Sequence, residues 1–325
     1  MKSNRLQYID YVKGLTILVL LFSHSYGGEG KLQTWIFSWH MPIFFVICGI
    51  LVHLKIERKG SISLKNHSIS RLYNLFQPYF LFGLILIAFF AILSFATTHN
   101  TNAGPLFFKL FTMQGIESMW FLPTYFFAEI LFLTLLHYSN QIVPVVLATI
   151  IILLSSLLDI PQNYWFHCLV GRILRGYVFI VIGYYCAKYQ VIEKLNPIIS
   201  LLILIAAGYL SQLNGFTSLH STQASHAPLY FLDATLTSIT ILSLFFFLEQ
   251  KLRFRSRVLR YLGTSTIIVV CTNNLLIEIL RLVDYKLMGN HLLNMGLIGS
   301  FVFFVLLTLL EIPFVHIFKG KFKRP

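Results

Sequence analysis

Runs of about twenty apolar residues recur along the whole chain, each bounded by basic or Gly/Pro-rich punctuation, and the first of them is "YIDYVKGLTILVLLFSHS" at 8–25. A bilayer's hydrocarbon core is about 30 Å thick, which a helix of about 20 mostly apolar residues crosses. Cutting at the punctuation predicts about ten such helices: 8–26, 35–54, 73–96, 119–137, 143–158, 172–187, 197–213, 229–248, 263–282 and 293–318. With 57% hydrophobic and only 11% charged residues, the chain is too apolar for a soluble domain. No polar stretch is long enough to bury a core of its own outside the bilayer. The expected architecture is therefore all-α and polytopic, one integral membrane domain over 1–325.

Charge sets the expected orientation. With the N-terminus in the cytoplasm, Lys2, Arg5, Lys13, Lys55, Arg58, Lys59, Lys65, Arg71, Lys188 and Lys194 all fall on the inner side. So do the run Lys251 to Arg260 and the tail Lys319 to Arg324, which makes both termini cytoplasmic. The formal charge of +13 thus reads as positive-inside bias and attraction to anionic lipid rather than as a nucleic-acid face. Cys48, Cys168, Cys186 and Cys271 are scattered, with neither disulfide nor metal-ligand spacing. His167, His220, His226 and His291 fall in loops or at helix ends without metal-ligand grouping, and no metal site is expected. The run at 8–25 ends without a small-residue cleavage pattern, so a cleaved signal is not expected. Internal repeats and paired broken helices, the marks of many transporters, are missing.

Three ionisable residues interrupt the first apolar run: Asp10, Lys13 and His24. At 100° per residue Lys13 and His24 lie within about 20° of one face and about 16 Å apart along the axis. Asp10 is about 40° from His24, so one stripe carries all three. Lys13 has an ordinary reading as an interfacial, snorkelling lysine. His24 is harder to explain that way, because an ionisable group at membrane depth usually faces a cavity or a partner.

Lys13, ten residues and then His24 resemble the first-helix signature of the acyltransferase-3 family of integral membrane acyltransferases, whose basic residue is usually Arg. Lys is expected in the branch described as fucose 4-O-acetylase-like, which also favours openings like "YIDYVKG". "SWHMPIFFVICGIL", with His40, Met41, Pro42 and Gly49, is similar to that branch's second-helix signature. "ISRLYNLFQPYFLFG" resembles the family's third helix, with Arg71 placed at its start and Pro78 after it. "MWFLPTYFF" matches a Trp-Phe-Leu element at Trp120, and "YLGTSTIIVVCTNNLLIEI" resembles the family's late Gly-x-x-Ser/Thr helix. Two departures stand out. Lys13 lacks the planar fork of Arg, and Asn273 stands where relatives often carry His.

The resemblance implies transfer of an acyl group, most often acetyl, from cytoplasmic acetyl-CoA to a hydroxyl of an exported polysaccharide or lipid-linked sugar, such as O-antigen of lipopolysaccharide or capsule. It also implies a bacterial inner membrane location, with acetyl-CoA as co-substrate and no tightly bound cofactor. A sugar hydroxyl needs a base with pKa near that of the medium, and imidazole meets that need, so His24 is the expected general base with Lys13 and Asp10 beside it. Lys13 and Arg71 are expected to hold the donor's phosphates. His40, Trp120, Glu129 and Asn273 are candidates for the substrate site, although His40 reads equally well as an interfacial residue. Direct transfer is favoured over a serine relay, since no Gly-x-Ser-x-Gly elbow occurs. The competing class is a glycan-precursor transporter or flippase, which also lines a path with polar residues.

Overall fold

The computed structural model describes residues 6–25, 30–98, 103–157, 164–289 and 296–322. The expected span ends Tyr26, Leu158 and Leu293 lie outside them, as do Lys2, Arg5, His291, Lys323 and Arg324. Among the described residues the fold is all-α, with one isolated bridge between Ser218 and Gln223. Its helices are α1 (Gln7–Ser25), α2 (Lys31–Trp39), α3 (Pro42–Lys59), α4 (Leu64–Thr98), α5 (Gly104–Phe111), α6 (Phe121–Tyr138), α7 (Ile142–Leu157), α8 (Trp165–Lys188), α9 (Val191–Lys194), α10 (Pro197–Asn214), α11 (Ala227–Gln250), α12 (Arg257–Gly263), α13 (Thr266–Met288) and α14 (Gly296–Phe318).

Among the described residues, eight helical stretches are long and apolar enough to cross a bilayer: 31–59, 64–96, 117–138, 165–188, 197–214, 227–250, 266–287 and 296–318. The other two expected spans are helical but fall short of that standard. Asp10, Lys13 and His24 dilute the hydropathy of α1, and α7 has only 16 residues. Outward-facing apolar side chains such as Ile198, Leu202 and Ile205 on α10 are exposed, as lipid-facing residues are.

Two boundaries differ from the sequence expectation. The third expected span begins at Leu64, not Tyr73, so Arg71 lies two turns inside α4 rather than at its start. Lys65 and Arg71 end an apolar window yet propagate a helix well, so hydropathy missed the helix boundary. The second expected span is broken by a turn at His40–Met41, because Pro42 has no N–H to continue the ladder and instead opens α3 at a position that tolerates it. His40 therefore sits within the 31–59 stretch and not at its outer edge.

The chain divides into two compact units. The first comprises Met1–Thr16, Glu29–His67 and Phe127–Thr264. There α3 packs on α8 along most of its length, and α10 packs on α11. Two glycines make the α3–α8 approach possible: a Cβ at Gly49 would collide with the carbonyl of Ile180, and one at Gly183 with that of Val46. The first turns of α1 rest on α12 in the same way, through Gly14 against Leu259 and Gly263 against Asp10. The start of α1 is held by Glu249 at the end of α11, whose Oε2 accepts from the Tyr8 amide at 2.6 Å. A carboxylate there satisfies an orphan N–H and opposes the positive end of the helix dipole.

The second unit comprises Ile17–Gly28, Ser68–Phe126 and Ser265–Pro325. Its α13 packs on α14, and Thr272 donates to the buried Glu311 Oε2 at 2.7 Å. The Tyr79 hydroxyl of α4 donates to the Leu110 carbonyl at 2.8 Å, tying α5 to α4.

Candidate active site

In the first unit the N-terminal half of α1 and the C-terminal half of α3 enclose a cavity of about 300 Å³. Leu6, Ile9, Leu51 and Leu54 supply its apolar wall, while Lys13, Lys55, Arg58 and Lys59 supply four cations against one carboxylate, Asp10. Lys13 Nζ pairs with Asp10 Oδ1 at 3.0 Å, one turn apart on α1, with side chains 19% and 4% exposed. That pairing leaves a surplus of three positive charges around the cavity. A pocket that joins a greasy wall to clustered ammonium and guanidinium groups suits a polyanion with an organic tail.

Lys55 reaches from this cavity into a buried relay. Its ammonium lies 2.7 Å from His67 Nδ1, and His67 Nε2 lies 2.8 Å from Glu129 Oε1. An ammonium only donates, so Nδ1 is the accepting nitrogen and Nε2–H donates to the carboxylate. Glu129 is 1% exposed, and a full charge in that setting needs such a partner. Glu129, a substrate-site candidate from the sequence, is set in the Lys55–His67 relay. Lys55 and His67 were missed as site residues. The apolar window opened after His67, and no local spacing signals a partner 62 residues away.

The second unit gathers a different group. His24, half-buried in the last turn of α1, lies in electrostatic reach of Arg281 on α13, which itself pairs with Glu278 at 2.8 Å. Two turns back along α13, Asn273 and Asn274 both donate to the Ser118 hydroxyl, at 3.2 and 2.7 Å. Ser118 belongs to the 3₁₀ turn Glu117–Trp120, so Asn273 and Trp120 are held in one cluster. Gly115 is needed beneath that turn, because a Cβ there would strike the Trp120 backbone and its φ is +78°. Arg71 packs over the Tyr125 ring at 5.5 Å and donates to its hydroxyl at 3.5 Å.

His40 belongs to the first unit, where its Nδ1 meets the Ile36 carbonyl at 2.7 Å and its ring is T-stacked on Phe37. The eight candidates therefore divide: Asp10, Lys13, His40 and Glu129 in one unit, His24, Arg71, Trp120 and Asn273 in the other. The continuous helix α1 carries members of both sets, with Lys13 and His24 three turns apart. Among the described residues no group of three or more His, Cys, Asp or Glu side chains is placed to hold a metal ion.

A family model described as an acyltransferase domain, that of the acyltransferase-3 family, matches residues 6–315. The chain belongs to the acyltransferase-3 family. Comparison with curated proteins and with solved structures returns no match. The matched residues include α1 with Lys13 and His24, the cationic cavity, the Lys55–His67–Glu129 relay and the Ser118–Asn273 cluster. The acyltransferase is an integral membrane protein, with eight stretches among the described residues long and apolar enough to cross a bilayer.

Proposed function

We propose that this acyltransferase is an O-acetyltransferase of the fucose 4-O-acetylase-like kind. It moves acetyl from cytoplasmic acetyl-CoA to a hydroxyl of an exported or surface polysaccharide, as a single domain spanning a bacterial inner membrane with both ends cytoplasmic. One observation carries this reading: a single helix joins Lys13, at a cavity with surplus positive charge, to His24 three turns away. The charge pattern assigns the cavity end to the cytoplasm, where acyl-CoA is found. Along α1 the separation is about 16 Å, a distance suited to a donor whose thioester sits on a long flexible arm away from its phosphates.

In this reading Lys13, Lys55, Arg58 and Lys59 hold the donor's phosphates, with the Glu129 carboxylate fixing Lys55 through His67. His24 takes the proton of the acceptor hydroxyl as its oxygen attacks the thioester carbonyl carbon. The O–C bond forms, the C–S bond breaks, and the imidazolium returns the proton to the departing CoA thiolate. The amide of Asn273 and the Trp120 indole are the donors suited to the tetrahedral oxyanion. Thr272 is excluded from that role, since its proton is committed to neighbouring acceptors.

The test is thiol release by the purified protein in nanodiscs given acetyl-CoA and glycan, together with mass spectrometry of surface glycans from cells with and without it. Acceptor-dependent CoA release and a gain of one acetyl unit per glycan repeat are expected. Unchanged glycans in an expressing host, with no thiol released, would overturn the reading.

A further inference from the structure

The first unit contains a second buried polar group, away from the cationic cavity. Arg175 on α8 is 3% exposed, and Tyr230, Asp233 and Thr237 on α11 are each 0% exposed. Positions 230, 233 and 237 fall on one stripe of α11. The Tyr230 phenol lies within electrostatic reach of both the Arg175 guanidinium and the Asp233 carboxylate, and its ring is fixed edge-on by Phe179. Ser38, in the last turn of α2, lies against Asp233, but its proton goes to the Trp35 carbonyl at 2.9 Å. Trp39 is the next residue of that turn.

These groups do not satisfy one another. Among the described residues, Nε and Nη1 of Arg175, the Tyr230 hydroxyl, both oxygens of Asp233, Oγ1 of Thr237 and Nε1 of Trp39 have no hydrogen-bond partner. Arg175 and Asp233, opposite charges in one unit and both in electrostatic reach of the same phenol, form no ion pair with each other. Burying a charge without a compensating partner costs several kcal/mol, roughly, so a set of this size marks a place for something else. A ligand held by Arg175 and Asp233 must accept from the guanidinium and donate to the carboxylate. A lone cation or anion does one of these; vicinal hydroxyls do both. One guanidinium and one carboxylate sum to no net charge, which selects a neutral ligand.

We propose that Arg175, Tyr230, Asp233 and Thr237 form the binding site for a neutral sugar ring of the acceptor glycan. The assignment rests on the proposed glycan acceptor and names where that acceptor is held. In the proposed topology, with both ends cytoplasmic, these residues lie toward the outer side, where an exported glycan is met. The segment following α10 is tied down beside them: Arg172 Nε donates to the His220 carbonyl at 2.5 Å, and the His226 amide donates to Asn214 Oδ1 at 2.8 Å.

The test uses the full chain in nanodiscs and follows tryptophan fluorescence during titration with the methyl glycosides of glucose, galactose, rhamnose and fucose, and with methyl glucuronide as a charged control. At least one neutral glycoside should give a saturable change that methyl glucuronide does not. Asp233→Asn and Arg175→Gln should weaken it about tenfold or more, equivalent to about 1.4 kcal/mol. Tyr230→Phe and Thr237→Val each remove only one hydroxyl, and should weaken binding severalfold while leaving the melting temperature near wild type. Bridging water only, seen as no saturable change with any glycoside or as variants binding like wild type, would overturn the site. If glycosides bind but acetyl-CoA is never consumed, the transfer reading fails and the site stands. If transfer proceeds with an acceptor KM unmoved by Asp233→Asn and Thr237→Val, the site fails and the transfer reading stands.

Discussion

His67 joins Lys55 to Glu129: its Nδ1 is 2.7 Å from the lysine ammonium and its Nε2 is 2.8 Å from the carboxylate. The arrangement makes a deeply buried acid responsible for the position of a cation at the cavity wall. Replacing His67 with Ala removes the link and leaves Glu129 desolvated. The KM for acetyl-CoA is expected to rise about tenfold with a smaller change in kcat, and His67→Gln, which keeps one amide donor, should recover part of it. Steady-state thiol release at varied donor concentration reads this directly; a fall in kcat with unchanged KM would refute it.

His24→Ala should reduce acceptor-dependent CoA release by about 10² to 10⁴-fold, the usual contribution of a general base. The ring is half-buried and its loss leaves no buried charge behind, so protein abundance and melting temperature should remain near wild type. Retention of full activity in a folded His24→Ala protein would remove His24 from the chemistry.

Lys13 has a structural role as well as the proposed donor role. Without it, Asp10 at 3% exposure loses this ion pair, and Lys13→Ala is expected to destabilise the protein by about 1–3 kcal/mol. Lys13→Arg keeps the charge and should retain both stability and activity. Thermal unfolding of the detergent-solubilised protein separates the two cases.

The four cations of the cavity predict that donor binding weakens with ionic strength. Raising salt from about 0.05 M to 0.5 M should increase the acetyl-CoA KM severalfold, and the dependence should flatten in Arg58→Gln and Lys59→Gln. An acetyl-CoA KM insensitive to salt would place the phosphates elsewhere.

The packing of α3 on α8 sets a contrast among glycines. Gly183→Ala forces a Cβ into the Val46 carbonyl and is expected to abolish folded yield, whereas the nearest atoms to a Cβ at Gly208 are 3.8 Å away, so Gly208→Ala should be accepted. Size-exclusion profiles of the two variants provide the comparison.

What the sequence by itself determined was an all-helical, polytopic membrane protein, because partition into a bilayer depends on the average over about 20 neighbouring residues, a local quantity. The pairs Asp10–Lys13 and Glu278–Arg281 were legible for the same reason: helix geometry brings residues three apart together. Tertiary structure alone decided which polar groups meet across helices. No spacing rule connects Glu129 with His67, Asn273 with Ser118, or Arg175 with the stripe carrying Asp233. In a chain this apolar, every helix offers many equally greasy faces, and hydrophobicity does not choose among them. The choice falls to backbone approach at Gly49 and Gly183 and to the few buried polar atoms, whose desolvation costs far more than a change of apolar neighbours.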